Sequence, residues 1–242
     1  MMQAWGGIEK IVGRSVAVCA LVLTLASTSV AEENLRDPYE GFNRSMFAVN
    51  EVIDKYAAKP VAQAYDAVAP LPVKAGVGNF FGNTRDLWIG INSALQGKFA
   101  DAGVDISRLL VNSSLGIFGL FDVASELGLE KHDEDFGQTM AVWGVRDGGF
   151  VFWPFIGPRT VRDTGGGIVD SYLDPVWSAR VRSVATRNSL VALRFVDIRA
   201  SLLPADKVVE EAALDKYAYI RDAYLQRRRN QIFDGRPPRL DD

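Results

Sequence analysis

Asp37-Pro38-Tyr39-Glu40-Gly41-Phe42-Asn43-Arg44-Ser45-Met46-Phe47-Ala48-Val49-Asn50 is the stretch on which the reading of this chain turns. It predicts the start of a helix, with Asp37 as N-cap, Pro38 at the first helical position and Glu40 three residues after the cap. Phe42, Met46, Val49, Ile53 and Tyr56 then recur at alternating four- and three-residue spacings, which gathers them on one helix face. Asn43, Arg44, Asn50, Glu51 and Asp54 fall largely elsewhere. Periodicity by itself fits the first helix of a soluble core equally well.

The surrounding 242 residues are enough for one domain with a sizeable core, or two small ones. An apolar content of 48% beside 24% charged residues is that of a folded chain and excludes general disorder. The net charge of −3 supplies no basic field for nucleic acid. One cysteine and one histidine are too few for a zinc cluster, and no cofactor or metal is expected.

At the N-terminus Lys10 and Arg14 precede the apolar run Val16-Ala17-Val18-Cys19-Ala20-Leu21-Val22-Leu23, and Ser29-Val30-Ala31 supplies a small-x-small cleavage site. This predicts a secretory signal over 1–31, with the mature chain beginning at Glu32. The run is too short to span a bilayer, so a membrane anchor is the weaker reading.

Along the mature chain, residues 61–68 predict a short helix, and Lys59-Pro60 and Pro70-Leu71-Pro72 punctuate it. Helical spacing returns over 73–83, 87–96 and 98–114, the last two separated at Gly97. Residues 115–124 are the most apolar of the mature chain, with Phe118 and Phe121 three apart, and fit a buried core helix or a segment touching lipid. His132 lies in a charged break, Lys131-His132-Asp133-Glu134-Asp135, and is expected to be solvated rather than catalytic. Residues 150–158 alternate large apolar residues with prolines and predict an extended or turning segment. The glycines 165–167 fit a hinge or helix-packing turn better than a phosphate cradle, because no strand precedes them and no lysine follows. Helical patterns over 176–203 and 207–233 follow, and Arg227-Arg228-Arg229 suits a solvated helix end or lipid phosphates. The tail, 236–242, is expected to be disordered.

The opening string Asp-Pro-x-Glu-Gly-Phe-Asn-Arg-x-Met-Phe-x-x-Asn resembles the first signature of the VacJ/MlaA family, which maintains outer-membrane lipid asymmetry in Gram-negative bacteria. Further blocks are similar in the same order. Residues 72–83 match with Lys74 replacing an arginine, and Arg108, Asn112, Gly116, Gly119, Asp122, Val123 and Ala124 fall on one pattern. Residues 135–145 form another block, and 217–229 resemble the closing helix. Arg146-Asp147-Gly148-Gly149 departs from the usual glycine-rich turn ending in proline, which leaves the shape of that turn open.

The resemblance, over roughly 37–233, implies an all-α fold, a ring-like assembly of short amphipathic helices lying in the membrane interface with no spanning helix. It implies one helical domain over 32–235, located at the periplasmic side of the outer membrane. It further implies a channel that takes misplaced phospholipid from the outer leaflet to a periplasmic lipid carrier protein, beside a trimeric porin. Phe42, Asn43, Phe47, Val49, Asn50, Asn79, Phe118 and Phe121 are the candidates for channel wall and membrane-facing surface. Many members are lipoproteins acylated on a cysteine, but Val18 and the apolar residues on both sides of Cys19 do not suit acylation. Two other classes stay open. An exported lipid hydrolase would need His132 as its base and lacks a Gly-x-Ser-x-Gly elbow. A soluble periplasmic scaffolding protein is the third.

Overall fold

Asn43 and Asn50 stand seven residues apart on the first helix, a rise of about 10.5 Å. Three residues of extended strand cover nearly the same length, about 10 Å. The fold uses that match to seat a β-hairpin on helix α1. The structure is a computed structural model that describes residues 37–177 and 183–239. Cys19 and the expected signal segment fall outside them.

Helix α1 spans Glu40–Ile53 and passes through a π-helical turn, Asp54–Ala58, into α2, Lys59–Val68. The helix starts later than expected. Tyr39 holds the N-cap position with no side-chain cap. The Asp37 carboxylate is drawn inward, where it accepts hydrogen bonds from Asn43 (2.7 Å) and from the Tyr217 hydroxyl.

After Pro70, α3 runs unbroken over Leu71–Leu95, roughly 37 Å, joining two segments that the sequence spacing separates. It folds back through Gly97, whose φ of +83° suits a glycine, onto α4, Phe99–Ser114. A single-turn helix α5, Val123–Glu126, and α6, Phe136–Val142, follow, each capped by an aspartate: Asp122 accepts from the Ser125 N–H and Asp135 from that of Gln138.

Residues 150–160, where the sequence predicts an extended or turning segment, form a small sheet within the helical fold. Strands β1, Phe150–Trp153, and β2, Gly157–Thr160, pair antiparallel with Phe150 opposite Thr160 and Trp153 opposite Gly157. Pro158 removes one donor, which a two-strand hairpin tolerates. Its outer edge is finished by side chains. Asn43 donates to the Phe150 carbonyl (3.0 Å) and accepts from the Phe152 N–H (2.8 Å), so its amide stands in for a peptide of a third strand. Asn50 repeats this with the Trp153 carbonyl (2.9 Å) and the Phe155 N–H (2.8 Å).

Helix α7, Val161–Leu173, begins directly after β2. The glycines 165–167 lie inside it rather than forming a turn before it. Gly166 faces Gly137 of α6 so closely that a Cβ would come within 2.4 Å of the Gly137 nitrogen. The remaining helices are α8, Val184–Ser201, α9, Leu203–Ala212, and α10, Lys216–Ile232. Asp215 caps α10, splitting the expected 207–233 helix in two. Residues 236–239 are neither helix nor strand, and Arg229 donates to the Pro238 carbonyl.

The small apolar core lies where α1, the hairpin and α10 meet: Phe150, Phe152 and Tyr217 are buried, with Met46, Phe47 and Tyr224 packed on them. Most of the interior is of another kind. Among the described residues, 16 polar or charged side chains are buried against 11 apolar ones, while large apolar residues lie exposed, such as Val68, Phe99, Leu110 and Tyr172 on helices and Phe118 on a turn. A water-soluble domain sorts its side chains the other way. No described helix is long and apolar enough to cross a membrane.

Candidate functional site

The buried polar groups form two braces. In the first, the fully buried Arg108 grips Asp122 with two hydrogen bonds (2.9 and 3.0 Å) and donates to the Leu129 carbonyl. Asn112, one turn on, donates to Asp122 and accepts from the Ala124 N–H (2.8 Å). Burial opposes the Asp122 charge, but Ser125, Asn112 and Arg108 together bring its pKa down to about 2. This anchoring turns the apolar stretch before it outward. Residues 115–121 are not a buried helix: Ile117 and Phe118 take left-handed backbone conformations, φ 51° and 56°, and Phe118 is 76% exposed.

In the second brace, Arg228 lies between Asp135 (2.6 Å) and Asp163 (2.9 Å), and Tyr224 donates to Asp163 (2.6 Å). Burial works against both carboxylates, yet Arg228 holds each below its ordinary range. Arg228 is therefore a buried bolt between α6, α7 and α10, not part of a solvated or lipid-facing basic patch. Removing one partner of such a buried cluster costs about 3–5 kcal/mol.

A cavity of about 810 Å³ lies between α3, α7, α8 and the tip of the hairpin. Its lining is mixed in character. Arg85, Glu134, Asp135, Arg159, Asp170, Asp174 and Arg194 bring charge to it, and Val191, Ala192, Phe195 and Ile198 of α8 bring apolar surface. Phe155 and Ile156, at the tip of the hairpin, line it as well. An amphipathic wall of this size suits a molecule with a charged end and an apolar body.

The residues singled out from sequence lie elsewhere. Asn43, fully buried, and Asn50 hold the hairpin that contributes to the cavity. Asn79 donates to the Leu120 carbonyl (3.3 Å) and so steadies the apolar turn. Phe47 packs edge-on against Phe152 (5.5 Å between ring centres), inside the aromatic core, and Phe42 is half-buried. Val49, Phe118 and Phe121 are exposed. The cavity's own residues, Trp88, Arg159, Asp170 and Phe195 among them, carry no sequence signal beyond helical spacing and the hairpin's prolines.

His132 is not solvated as expected: it is half-buried with its Nδ1 2.8 Å from Asp105. Ser93 donates to the other oxygen of Asp105 (3.0 Å) and is fully buried. The carboxylate thus sits between serine and histidine, whereas a hydrolytic triad needs the histidine between serine and carboxylate. Among the described residues no cluster of three metal-ligating side chains occurs.

The sequence profile of the family described as "MlaA lipoprotein" matches residues 35–231. The "Intermembrane phospholipid transport system lipoprotein MlaA" of Escherichia coli K12 is 34% identical over 212 residues, covering 86% of this chain and 82% of its own length. The Haemophilus influenzae protein of the same name is 30% identical over 231 residues and 90% of each chain. A solved structure from work on the "Structural basis for maintenance of bacterial outer membrane lipid asymmetry" superposes with a TM-score of 0.70 at 31% identity, covering 83% of this chain and 99% of the other. This chain belongs to the MlaA lipoprotein family.

Proposed function

We propose that this protein is the outer-membrane component of a phospholipid transport system, passing phospholipid through the cavity bounded by α3, α7 and α8. The observation that carries this reading is the inverted distribution of side chains: a braced polar interior around an amphipathic cavity, under an exposed apolar exterior. The cavity's polar wall would conduct a headgroup while the α8 face accommodates acyl chains. The exposed turn at Phe118 and Phe121, with Val49 on α1, would sit in lipid, so that attachment comes from the fold itself without acylation of Cys19. Asn43, Asn50 and Phe47 hold the hairpin that reaches the cavity, Asn79 steadies the apolar turn, and Phe42 is not part of the cavity's lining. The names of the relatives support transport as the activity. From the family resemblance we carry over the direction, which is removal of misplaced phospholipid from the outer leaflet to a periplasmic carrier beside a trimeric porin. Export through the signal over 1–31 is part of the same proposal.

The test is the lipid of the cell surface. Cells lacking the gene should expose phospholipid to an added phospholipase, and the natural gene should restore a resistant surface. A deletion strain whose surface equals that of the parent would sink the proposal. His132→Ala separates this from the hydrolase alternative: transport survives it, whereas a hydrolase that used His132 would be abolished. A protein that leaves the membrane pellet in a salt wash would be the soluble scaffold instead.

A further inference from the structure

The cavity's lining carries charges, and most of them are already neutralised. Glu134 is paired with Lys98 (2.8 Å), Asp135 with Arg228, Asp174 with Arg194 (2.5 Å), and Arg85 with Asp133 (3.4 Å). Two are left over. Arg159, on β2, makes no ion pair within 4 Å among the described residues and donates only to the Asp163 carbonyl (3.0 Å). Asp170, on α7, has no cation partner among them either. Its Oδ1 accepts from the Trp88 indole (2.6 Å) and the Phe136 N–H (3.0 Å), while its Oδ2 accepts nothing.

The two are neighbours without being partners. The Arg159 guanidinium lies over Gly167, where a Cβ would stand 2.3 Å from Nη1. Asp170 follows Gly167 by three residues on the same helix face. Its carboxyl feels the charge of Arg159, though burial still raises its pKa.

An unpaired cation and an unpaired anion, held side by side in an amphipathic cavity, match a ligand that carries both charges on adjacent groups. We infer that Arg159 and Asp170 form a headgroup site for a zwitterionic phospholipid with a primary ammonium, Arg159 taking the phosphodiester and Asp170 Oδ2 the ammonium. This rests on the transport reading and adds a preference to it. A guanidinium binds phosphate oxygens through paired donors. An ammonium offers hydrogen bonds that a glycerol headgroup cannot replace with charge. Trp88 and the Phe136 N–H hold one oxygen of the carboxylate, and the other, on a residue that lines the cavity, is left to accept. Gly167 is the position that leaves room for the guanidinium.

The experiment is competitive retention on the purified full-length protein in detergent. Equal amounts of phosphatidylethanolamine, phosphatidylglycerol and diacylglycerol are offered, and the retained lipid is measured by mass spectrometry. The natural protein should enrich phosphatidylethanolamine several-fold over phosphatidylglycerol, and both over diacylglycerol. Arg159→Ala should bring both phospholipids down to the diacylglycerol level, with Arg159→Lys recovering part of the loss. Asp170→Asn keeps an oxygen for Trp88 and Phe136 and should erase the preference between the two phospholipids while phosphatidylglycerol stays bound. Gly167→Ala removes no charge, favours the helix, and should mimic Arg159→Ala by pushing the guanidinium away. Natural enrichment of phosphatidylethanolamine in Arg159→Ala or in Asp170→Asn overturns the headgroup site and leaves transport standing. Equal retention of all three lipids by the natural protein overturns the headgroup site as well. Retention of none of them, with an unaltered surface in the deletion strain, removes the transport reading itself.

Discussion

Replacing Asn43 with alanine tests the hairpin clamp most directly. The side chain is fully buried, and its loss strands the Phe150 carbonyl and the Phe152 N–H away from water. Asp37 loses one donor but keeps the Tyr217 hydroxyl and the Arg221 guanidinium. Two orphaned backbone groups at about 1–3 kcal/mol each give an expected loss of about 3–4 kcal/mol. At about 2–4 °C per kcal/mol for a chain of this size, the melting temperature should fall by about 10 °C. Asn50→Ala is the internal control. It removes the same pair of bonds from a half-buried position where water can substitute, so about 1 kcal/mol and about 3 °C are expected. Both variants are measured by circular dichroism in the same detergent, beside their ability to restore a phospholipase-resistant surface. Asn43→Ala should also impair transport, because Phe155, Ile156 and Arg159 reach the cavity through the hairpin it holds. An Asn43→Ala protein melting within about 2 °C of the natural one, or no lower than Asn50→Ala, would refute the clamp.

Three further outcomes are expected. Phe118 and Phe121, 76% and 59% exposed, are replaced together by aspartate: the melting temperature in detergent should hold, while membrane association should weaken by about 4 kcal/mol for two aromatic side chains. Unfolding instead would place both in the core. Gly166→Ala should destabilise by about 1–3 kcal/mol, because its Cβ meets the Gly137 backbone. Gly165→Ala, with open space around it, should stabilise the helix by up to about 1 kcal/mol, and equal effects of the two would refute the glycine contact. Asp122 has a folded pKa of about 2, below its ordinary 3.8, so its contribution is full above the ordinary value and is lost as pH falls toward 2. The melting-temperature advantage of the natural protein over Asp122→Asn should shrink across that window, and an advantage constant from about pH 6 to 2.5 would speak against it.

The sequence by itself determined much of the local structure. Helical spacing placed α1, α2 and α4, and the prolines of 150–158 marked the segment that became a hairpin. The ordered blocks also carried the family. What periodicity does not contain is the identity of the medium on each side of a helix. A stripe such as Phe42, Met46, Val49 and Ile53 has the same spacing whether it meets a core or lipid, because amphipathicity is a property of one segment and burial is a relation between segments. The structure splits that stripe, leaving Val49 exposed and placing Met46 on the aromatic core.

The polar interior was hidden for the same reason. Arg228 looks like one of three arginines at a helix end until Asp135 and Asp163, 93 and 65 residues earlier, converge on it. Asp37 looks like a cap until Tyr217, 180 residues on, claims its carboxylate. Arg159 and Asp170 are ordinary charges in the chain, and only the packing of Trp88, Gly167 and α8 around them leaves the two unpaired within one cavity. Charge pairing and burial are decided by distances in space, and residues far apart in sequence set those distances.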